Sequence, residues 1–309
     1  MRQVTILSGK GGTGKTSLAA AFAHLAHDGP CRMQSVLADA DVDAANLELV
    51  LHPNILEEHE FIGGSVAVIE AERCQGCGIC KQVCRFDAVV PPLGIEKARG
   101  EFGERNAYII DSIACEGCAA CHYQCPYEAI QMQPQIAGRW FRSECRFGPL
   151  VHAELFPAQE NSGKLVTLVK QQARLIGLDR GLQLVIVDGP PGIGCPVISA
   201  VSGADLALIV TEPTAAGIHD MVRALQTATH FRVPSQVCIN KADLYPAGSA
   251  EIEDYCHEHD IEVCGHIPFD DAMTEAMMKG EPVTVYRPSA PSSQAILQAW
   301  QKIAKTLAK

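Results

Sequence analysis

The sequence predicts an α/β protein in which a doubly wound, mostly parallel sheet carries an inserted, smaller α+β domain. Three observations support this fold class. Apolar segments that suit buried strands alternate with helical segments over most of the chain. A glycine-rich loop follows the first predicted strand and opens the first predicted helix. In the middle of the chain the alternation is interrupted, and two similar cysteine-rich runs replace it.

Short apolar segments predict the strands of the larger domain. Residues 3–8 predict the first strand, and residues 15–27 predict the following helix because Leu18, Phe22 and Leu25 recur at helical spacing. The continuous apolar run in LQLVIVDGPPG is typical of a central parallel strand. Further strands are expected in the segments 35–51 (where the strand ends in acidic residues), 182–192, 205–213 and 235–243.

An internal repeat predicts the inserted domain. RCQGCGICKQVCRFDAV (73–89) aligns with ACEGCAACHYQCPYEAI (114–130), cysteine for cysteine. A predicted short strand precedes each copy, and a spacer rich in glycine and charge (91–106) separates the two. Two copies of one half-domain therefore indicate a compact module within the chain. The predicted boundaries are 62–137 for the insert and 1–61 with 138–309 for the larger, discontinuous domain.

Composition limits the class of protein and its partners. Hydrophobic residues make up 47% of the 309 residues, yet no apolar run approaches the length of a membrane span, so none is expected. The N-terminal residues lead directly into a strand without a signal peptide, so a cytoplasmic protein is expected. The net charge of −11, with no run of Lys and Arg, predicts neither nucleic acid nor membrane as a partner.

The glycine-rich loop carries a phosphate-binding motif. GKGGTGKT (9–16) fits G-x-x-x-x-G-K-[ST] between a strand and a helix, the context that this motif requires. Its glycines allow backbone N–H groups to face phosphate oxygens, and the helix N-terminus adds positive charge. Lys15 is expected to reach the β- and γ-phosphates and Thr16 to ligate Mg²⁺. The predicted nucleotide site comprises Gly9, Lys10, Gly11, Gly12, Thr13, Gly14, Lys15, Thr16 and Ser17.

Lys10 makes this loop more distinctive. The loop resembles the deviant Walker A P-loop of the MinD/ParA ATPases, which include the nitrogenase iron protein. The resemblance implies that Lys10 reaches across an ATP-sandwich dimer to the nucleotide of a second subunit. That subunit would be another copy of the chain or a related ATPase. A lysine that faces solvent is the alternative, and a chance glycine turn is the alternative for the motif as a whole.

Acidic residues after the second strand resemble the switch I region of the same family. In DADVDAANL, Asp41 is expected to activate the attacking water and to contribute to the Mg²⁺ site. Asp39 and Asp43 are expected near Mg²⁺, with Asn46 as a helper. The predicted catalytic residues are therefore Lys10, Lys15 and Asp41. A solvated strand end, rich in acids for solubility alone, is the alternative.

Later segments complete the predicted nucleotide site. Asp188 ends an apolar strand and is expected to hold Mg²⁺ through water, with GPPG after it as switch II. NKAD matches the base-binding N-K-x-D pattern, so Asn240 and Lys241 are expected near adenine. Pro268 lies where members of the resembled family close over the base. ATP or ADP and Mg²⁺ are thus the predicted ligands.

The two cysteine runs predict two 4Fe–4S clusters. Each run has the spacing C-x2-C-x2-C-x3-C, in which the fourth cysteine ligates the other cluster of a two-cluster ferredoxin. Zinc competes for CxxC pairs, but no histidine stands at zinc-finger spacing. The insert resembles bacterial ferredoxins at its ligands. The predicted ligand sets are Cys74, Cys77, Cys80 and Cys125 for one cluster, and Cys115, Cys118, Cys121 and Cys84 for the other.

Two positions depart from these resemblances. Arg85 stands where the second run keeps Pro126, and we expect its positive charge to raise the potential of the adjacent cluster. Cys195 follows Asp188 by seven residues, the offset of a cysteine that bridges two subunits in the nitrogenase iron protein. No upstream counterpart accompanies it, so a thiol at a helix start is the favoured interpretation.

The whole chain resembles MinD-superfamily ATPases that carry an inserted ferredoxin domain, and three functions fit that resemblance. The favoured one is an ATPase, weakly active without a partner, that passes low-potential electrons through two 4Fe–4S clusters to a partner protein. The alternative is an ATP-dependent carrier or assembly factor for metal or iron–sulfur clusters. A positioning ATPase with the clusters as a redox sensor is the third.

Overall fold

The structure is a computed structural model that describes residues 1–91, 97–100, 103–157, 159 and 161–308. Residues 92–96, 101 and 102 of the predicted spacer lie outside the described residues. The strands are β1 (Arg2–Ser8), β2 (Ser35–Asp39), β3 (Asn54–Ile69), β4 (Val89–Val90), β5 (Lys97–Gly100), β6 (Gly103–Asn106), β7 (Ile109–Ile110), β8 (Ile130–Cys145), β9 (Gly148–Leu155), β10 (Leu184–Pro191), β11 (Leu206–Thr211), β12 (Ser235–Asn240) and β13 (Glu262–Ile267).

Helices separate most of these strands along the chain. They are α1 (Lys15–Asp28), α2 (Leu47–Leu51), α3 (Ile79–Val83), α4 (Ala120–Gln124), α5 (Ser162–Asp179), α6 (Cys195–Val201), α7 (Ala215–His230), α8 (Pro246–Glu258), α9 (Asp271–Met278), α10 (Val283–Tyr286) and α11 (Pro291–Leu307). In the described part of the chain, no helix combines the length and the apolarity that crossing a membrane requires.

The large sheet has the strand order β13-β12-β11-β1-β10-β2-β9-β8-β3. Strand β1 pairs in parallel with β10 and β11, and parallel pairing continues from β11 to β13 and from β10 to β9. The interior of β1 is apolar, and Val4, Ile6 and Leu7 have no exposed surface because helices cover both faces of a central parallel strand. The predicted α/β class with a mostly parallel sheet is therefore confirmed.

One prediction about the second strand needs correction. The segment 35–51 was expected to be a strand ending in acids, but β2 ends at Asp39 and Leu47–Leu51 form the helix α2. Asp39 itself ends the strand, because its carboxylate accepts hydrogen bonds from the backbone N–H groups of Asp41 (3.2 Å) and Leu47 (3.0 Å). These bonds turn the chain away from the sheet and fix the start of α2.

The core of the sheet lies against α1 and α11. Phe22 of α1 and Trp300 of α11 are fully buried, with ring centroids 5.3 Å apart. Alanine fills much of the inner surface of α1, which allows this helix to pack closely on the strands. The close packing holds the beginning of α1, and with it the phosphate loop, at a fixed place on the sheet.

The chain forms two compact units. The first comprises Met1–His59, Arg139–Leu155 and Ser162–Lys309, and the second comprises Glu60–Gly138 and Phe156–Asn161. The chain thus passes from one unit to the other within β3 and within β8. Phe156–Asn161 belong to the second unit, although nothing in the sequence assigned them to the cysteine-rich insert.

The internal repeat is visible in the backbone of the second unit. Gly78 and Ala119 occupy equivalent places before α3 and α4, and both have left-handed backbone angles, with φ of 78° and 61°. Gly76 and Gly117, two residues earlier, also have positive φ values of 69° and 64°. The same turn therefore precedes the short helix in each half of the repeat.

Candidate functional site

The phosphate loop joins the end of β1 to the start of α1. Gly12 and Gly14 have φ values of 78° and 93°, which residues with side chains rarely adopt. Gly14 is the N-cap of α1, so the N–H groups of the first turn of this 14-residue helix point toward the loop. The sequence therefore folds locally as the motif predicts, with a glycine at each left-handed position.

A cavity of about 590 Å³ lies along this loop. Predicted switch I residues and residues of the phosphate loop line it together, and Met277 and three prolines contribute an apolar part. Of the predicted loop residues, Gly9, Lys10 and Thr13 do not line the cavity. Its lining consists of Gly11, Gly12, Gly14, Lys15, Thr16, Ser17, Asp41, Asp43, Ala44, Asn46, Leu49, Val50, Pro190, Pro191, Pro196 and Met277.

Two buried carboxylates lie side by side behind this cavity. Asp39 of β2 is in register with Asp188 of β10, and both side chains are almost completely buried. Burial raises the pKa of Asp39, and repulsion from Asp188 raises it further. Burial likewise raises the pKa of Asp188, although the nearby Thr16 hydroxyl and Lys15 ammonium act in the opposite direction.

Asp188 has the properties of a cation ligand. Neither of its carboxylate oxygens has a hydrogen bond of regular geometry among the described residues, although both are buried and the Thr16 hydroxyl lies nearby. A buried carboxylate without partners is costly, and a hard cation with oxygen ligands removes that cost. Asp188, with Thr16 nearby, therefore fits a Mg²⁺ ion, and Mg²⁺ binding at these residues stays a prediction. Asp41 is half-buried on the cavity wall, and burial raises its pKa against the opposing charge of Lys15.

Asn240 contacts the phosphate loop. Its Nδ2 donates a hydrogen bond to the main-chain oxygen of Thr13 (2.8 Å), and its Oδ1 accepts one from the N–H of Lys241 (3.0 Å). A Cβ atom on Gly14 would come within 2.5 Å of Nδ2, so this contact also requires glycine there. Pro268 is half-buried. It directly precedes Phe269, whose N–H donates a hydrogen bond to the Asp243 carboxylate. Contact of Asn240, Lys241 and Pro268 with adenine stays a prediction.

Glu212 was not predicted from the sequence, yet it binds two of the predicted site residues. Its Oε2 lies 3.0 Å from Nζ of Lys10, and its Oε1 lies 2.6 Å from Nζ of Lys241. Burial opposes the charge on Glu212, but the two lysines outweigh burial and hold its pKa below the usual value. The available signal was an acid placed directly after an apolar strand, in LALIVTEP.

Four of the predicted ligand cysteines surround one small cavity in the second unit. Cys74, Cys77 and Cys80 of the first run line it together with Cys125 of the second run. The rest of the lining is mostly apolar and aromatic, and it includes Ile69, Tyr108, Tyr127, Ala129 and Ile130. The first predicted ligand set, with its fourth member from the other run, is therefore brought together.

Three of the remaining four cysteines belong to one apolar cluster of the second unit. Cys121 is buried in the same apolar cluster as Cys80, with Cys84 and Cys115 packed against it. Burial raises the pKa of the Cys80 and Cys121 thiols. Cys118 is exposed, as is its counterpart Cys77.

The arrangement of the thiols suits a polynuclear cluster. Within the described ranges, no three His, Cys, Asp or Glu side chains converge closely enough to hold a single metal ion. The thiols of the first set surround an apolar cavity, and four thiolates around such a space are the donor set of a 4Fe–4S cluster. The first set of thiols therefore fits a 4Fe–4S cluster, and the presence of two clusters stays a prediction.

The two positions that depart from pattern are both exposed. Arg85 follows Cys84 on the surface of the second unit. Cys195 is the first residue of α6 in the first unit, and Pro196 after it lines the cavity at the phosphate loop.

A glycine-rich phosphate loop at the carboxyl edge of a parallel sheet, with a buried aspartate behind it, defines a P-loop nucleotide-binding protein. Residues 4–283 match the profile of the CobQ/CobB/MinD/ParA nucleotide binding domain, and the chain belongs to this family. It is a nucleotide-binding ATPase of the MinD/ParA type.

The chain is similar to several known proteins. The protein MJ0578 of Methanocaldococcus jannaschii is 36% identical over 239 residues, which are 77% of this chain and 78% of that protein. The iron-sulfur cluster carrier protein of Aquifex aeolicus is 25% identical over 140 residues, 41% of this chain and 37% of the carrier. The fold is similar to that of the septum site-determining protein MinD of Pyrococcus horikoshii, with a TM-score of 0.57, 17% identity, and coverage of 98% and 95% of the two chains.

Proposed function

We propose that the chain is an ATP-dependent electron-transfer protein with two 4Fe–4S clusters in its second unit. The observation that carries this proposal is the convergence of Cys125 with Cys74, Cys77 and Cys80 around one cavity. A bound 4Fe–4S cluster supplies a one-electron carrier of low potential. The fourteen cysteines are free, in keeping with a reducing compartment, so a cytoplasmic location is part of the proposal.

The first unit binds and hydrolyses ATP in this proposal. Lys15 neutralises charge on the β- and γ-phosphates from its buried position at the start of α1. Thr16 and Asp188 hold Mg²⁺, which would neutralise further phosphate charge when bound. Asp41 lies on the same cavity wall and orients the attacking water. Three prolines and Met277 supply the apolar part of the same cavity lining.

The second unit holds the clusters through both cysteine runs. The turn before α3 places a backbone N–H next to a thiol, in the contact of 3.5 Å from the N–H of Gly76 to Sγ of Cys74. The N–H of Ala129 makes a similar contact of 3.4 Å with Sγ of Cys125. Such hydrogen bonds to sulfur favour the more negative, reduced state of a cluster.

ATP-dependent pairing of two chains completes the proposal. Lys10 does not line the phosphate cavity of its own chain, and its ammonium contacts Glu212 outside that cavity. The second chain is either another copy or a relative. Related proteins of similar length exist: MJ0579 of Methanocaldococcus jannaschii is 26% identical over 289 residues, 93% of each chain.

The proposal is tested by electron transfer from the reduced holoprotein to a viologen dye under anaerobic conditions. We expect faster transfer with ATP than with ADP or without nucleotide, and no ATP effect in Lys15→Ala. Iron content and electron paramagnetic resonance should show that Cys125→Ser loses one cluster. Cys145→Ser, which changes a cysteine outside both runs, should retain both. Equal rates with and without ATP contradict the coupling, and fewer than two clusters contradict the cofactor assignment.

A cluster carrier is the second candidate function. The observation that favours it is the similarity to the iron-sulfur cluster carrier protein of Aquifex aeolicus over 140 residues. Transfer of iron and sulfide from the holoprotein to an apo-ferredoxin, faster with ATP, would support this function. Retention of both clusters during repeated reduction and oxidation would instead favour electron transfer.

A further inference from the structure

Glu212 lies between two nucleotide-binding loops because of the strand order. Strand β11 lies between β1 and β12, and both pairings are parallel, so the carboxyl ends of the three strands share one edge. Glu212 is the first residue after β11 and Lys241 the first after β12, while Lys10 is the second after β1. An acid after the middle strand can therefore reach a lysine on either side.

The turn that carries Glu212 is held firmly. The N–H of Thr214 donates to the main-chain oxygen of Glu212 (2.8 Å), and Thr214 also caps α7 through the N–H of Gly217 (3.0 Å). The hydroxyl of Thr211 donates to the main-chain oxygen of Gly217 (2.9 Å). The Glu212 carboxylate is only 11% exposed, whereas Lys10 and Lys241 are 38% and 35% exposed. The acid is thus fixed, and the two lysines reach it from solvent.

Each carboxylate oxygen has its own lysine. Oε2 contacts Lys10 and Oε1 contacts Lys241, at 3.0 and 2.6 Å. A largely buried carboxylate left without any partner would be costly. Because Lys241 remains in contact when Lys10 leaves, Glu212 keeps a counter-charge. The contact with Lys10, which is longer and partly exposed, can therefore break at small cost.

We propose that Glu212 is a positioning residue for the ATPase reaction. Glu212 holds the Lys10 side chain in the nucleotide-free chain and releases it when ATP brings a second chain to the site. This inference rests on the proposed ATP-dependent pairing. The backbone of Lys10 stays in place, because the Ser8 hydroxyl donates to its main-chain oxygen (2.6 Å). Release therefore requires rotation of the lysine side chain only.

The first test measures how strongly Glu212 restrains the Lys10 side chain in the absence of nucleotide. Amine-labelling rates at Lys10, relative to the exposed Lys305, are determined by mass spectrometry of peptides from the complete protein. Glu212→Gln should raise the relative rate at Lys10 about two- to fivefold, the range of a partly exposed ion pair. Lys241→Met should lower it, because the whole charge of Glu212 then acts on Lys10. Glu281→Gln, which removes a surface ion pair with Arg146, should change nothing.

The labelling rate at Lys10 should rise in Glu212→Gln and fall in Lys241→Met. A loss of structure would instead raise the rate in both variants. An unchanged rate at Lys10 in Glu212→Gln overturns the inference. If Glu212→Gln does not fold, a rise or no change in Lys241→Met overturns it instead.

The second test measures pairing with a non-hydrolysable ATP analogue by sedimentation velocity at fixed ionic strength. Glu212→Gln should pair about two- to fivefold more tightly than the unmodified chain, and Lys10→Ala should abolish the difference. Equal pairing affinities of Glu212→Gln and the unmodified chain contradict the role of Glu212 and leave the proposed pairing intact. No pairing in either form contradicts the proposed pairing, and the release step with it.

Discussion

Nδ2 of Asn240 lies 2.8 Å from the main-chain oxygen of Thr13, so the loop after β12 holds the phosphate loop directly. The two residues are 227 positions apart in the chain. The N-K-x-D segment therefore has a structural task in the phosphate loop that does not depend on a bound base.

Replacement of Asn240 by alanine should weaken phosphate binding. The variant loses a buried hydrogen bond worth about 1 kcal/mol, so affinity should fall roughly fivefold. Calorimetry with ATP and with inorganic tripolyphosphate distinguishes the two roles of Asn240. Equal losses for both ligands indicate action through the loop, and a larger loss for ATP indicates contact with adenine. Asn54→Ala, at the exposed start of β3, serves as the control.

Gly9 should not tolerate a side chain. A Cβ atom there would overlap the Cβ and backbone of Asp220 on α7, whereas a Cβ atom on Gly11 meets nothing within 4 Å. We expect Gly9→Ala to lower the free energy of unfolding by about 1–3 kcal/mol and Gly11→Ala to change it by less than about 0.5 kcal/mol. Urea unfolding of the two variants measures this difference. Similar stabilities would show that α7 moves aside without cost.

His152 should make the protein less stable in acid. The ring is buried, contacts Ser143 Oγ at 2.9 Å and Glu48 at 3.1 Å, and burial lowers its pKa to about 4. Between pH 6.5 and pH 4 the unfolded chain therefore binds a proton that the folded chain does not. Stability falls as the pH falls, by roughly 2 kcal/mol between pH 7 and pH 5. Burial raises the pKa of Glu48, which acts with the opposite sign.

Urea unfolding at pH 7 and pH 5 measures this dependence in the unmodified chain and in His152→Gln. The variant should lose most of the difference between the two pH values. An equal difference in both proteins would assign the acid sensitivity to other groups.

Lys170 should be essential for the stability of α6. Its Nζ donates to the main-chain oxygens of Ser199, Ala200 and Ser202, at 2.6, 2.7 and 2.7 Å. Lys170→Met leaves these oxygens without that donor and should cost about 2–4 kcal/mol of unfolding free energy. Lys305→Met, on the exposed face of α11, should have little effect in the same urea experiment. Equal stabilities of the two variants would contradict this role.

Removal of the positive charge of Arg85 or of Lys81 should show which cluster the neighbouring cysteine ligates. Arg85 follows Cys84, a predicted ligand of the second cluster, and Lys81 follows Cys80, a predicted ligand of the first; both side chains are exposed. Arg85→Gln should lower the potential of one cluster and Lys81→Gln that of the other, by small amounts because solvent screens both charges. Spectroelectrochemical titration of the holoprotein measures both. A shift of the same cluster in both variants contradicts the predicted ligand sets.

Much of the nucleotide site could be predicted because its signals are local. Strand β1, the phosphate loop and α1 are consecutive in the chain, and the loop chemistry fixes their geometry. The polar residues after β2 follow the same logic: Asp41, Asp43 and Asn46 line the cavity with Lys15. The repeated cysteine spacing likewise predicted that Cys125 would lie with the three cysteines of the first run.

What could not be predicted depends on contacts between distant segments. Glu212 gains its two lysines only because β11 lies between β1 and β12, an order that a single sequence does not specify. The place of Asn240 against Thr13 has the same origin. The length of β3 and β8 was also missed, because polar residues and glycine interrupt their apolar pattern.

The second unit is built from two separate stretches of chain, Glu60–Gly138 and Phe156–Asn161. A gene for the first unit alone would have to lose both stretches and restore two junctions, His59 to Arg139 and Leu155 to Ser162. A single deletion of the cysteine-rich stretch would remove Ala137, whose main-chain oxygen accepts a hydrogen bond from the N–H of Phe156 (2.8 Å). Gain or loss of the insert during evolution therefore needs more than a one-step exchange, and a minimal ATPase made for crystallisation must be cut twice.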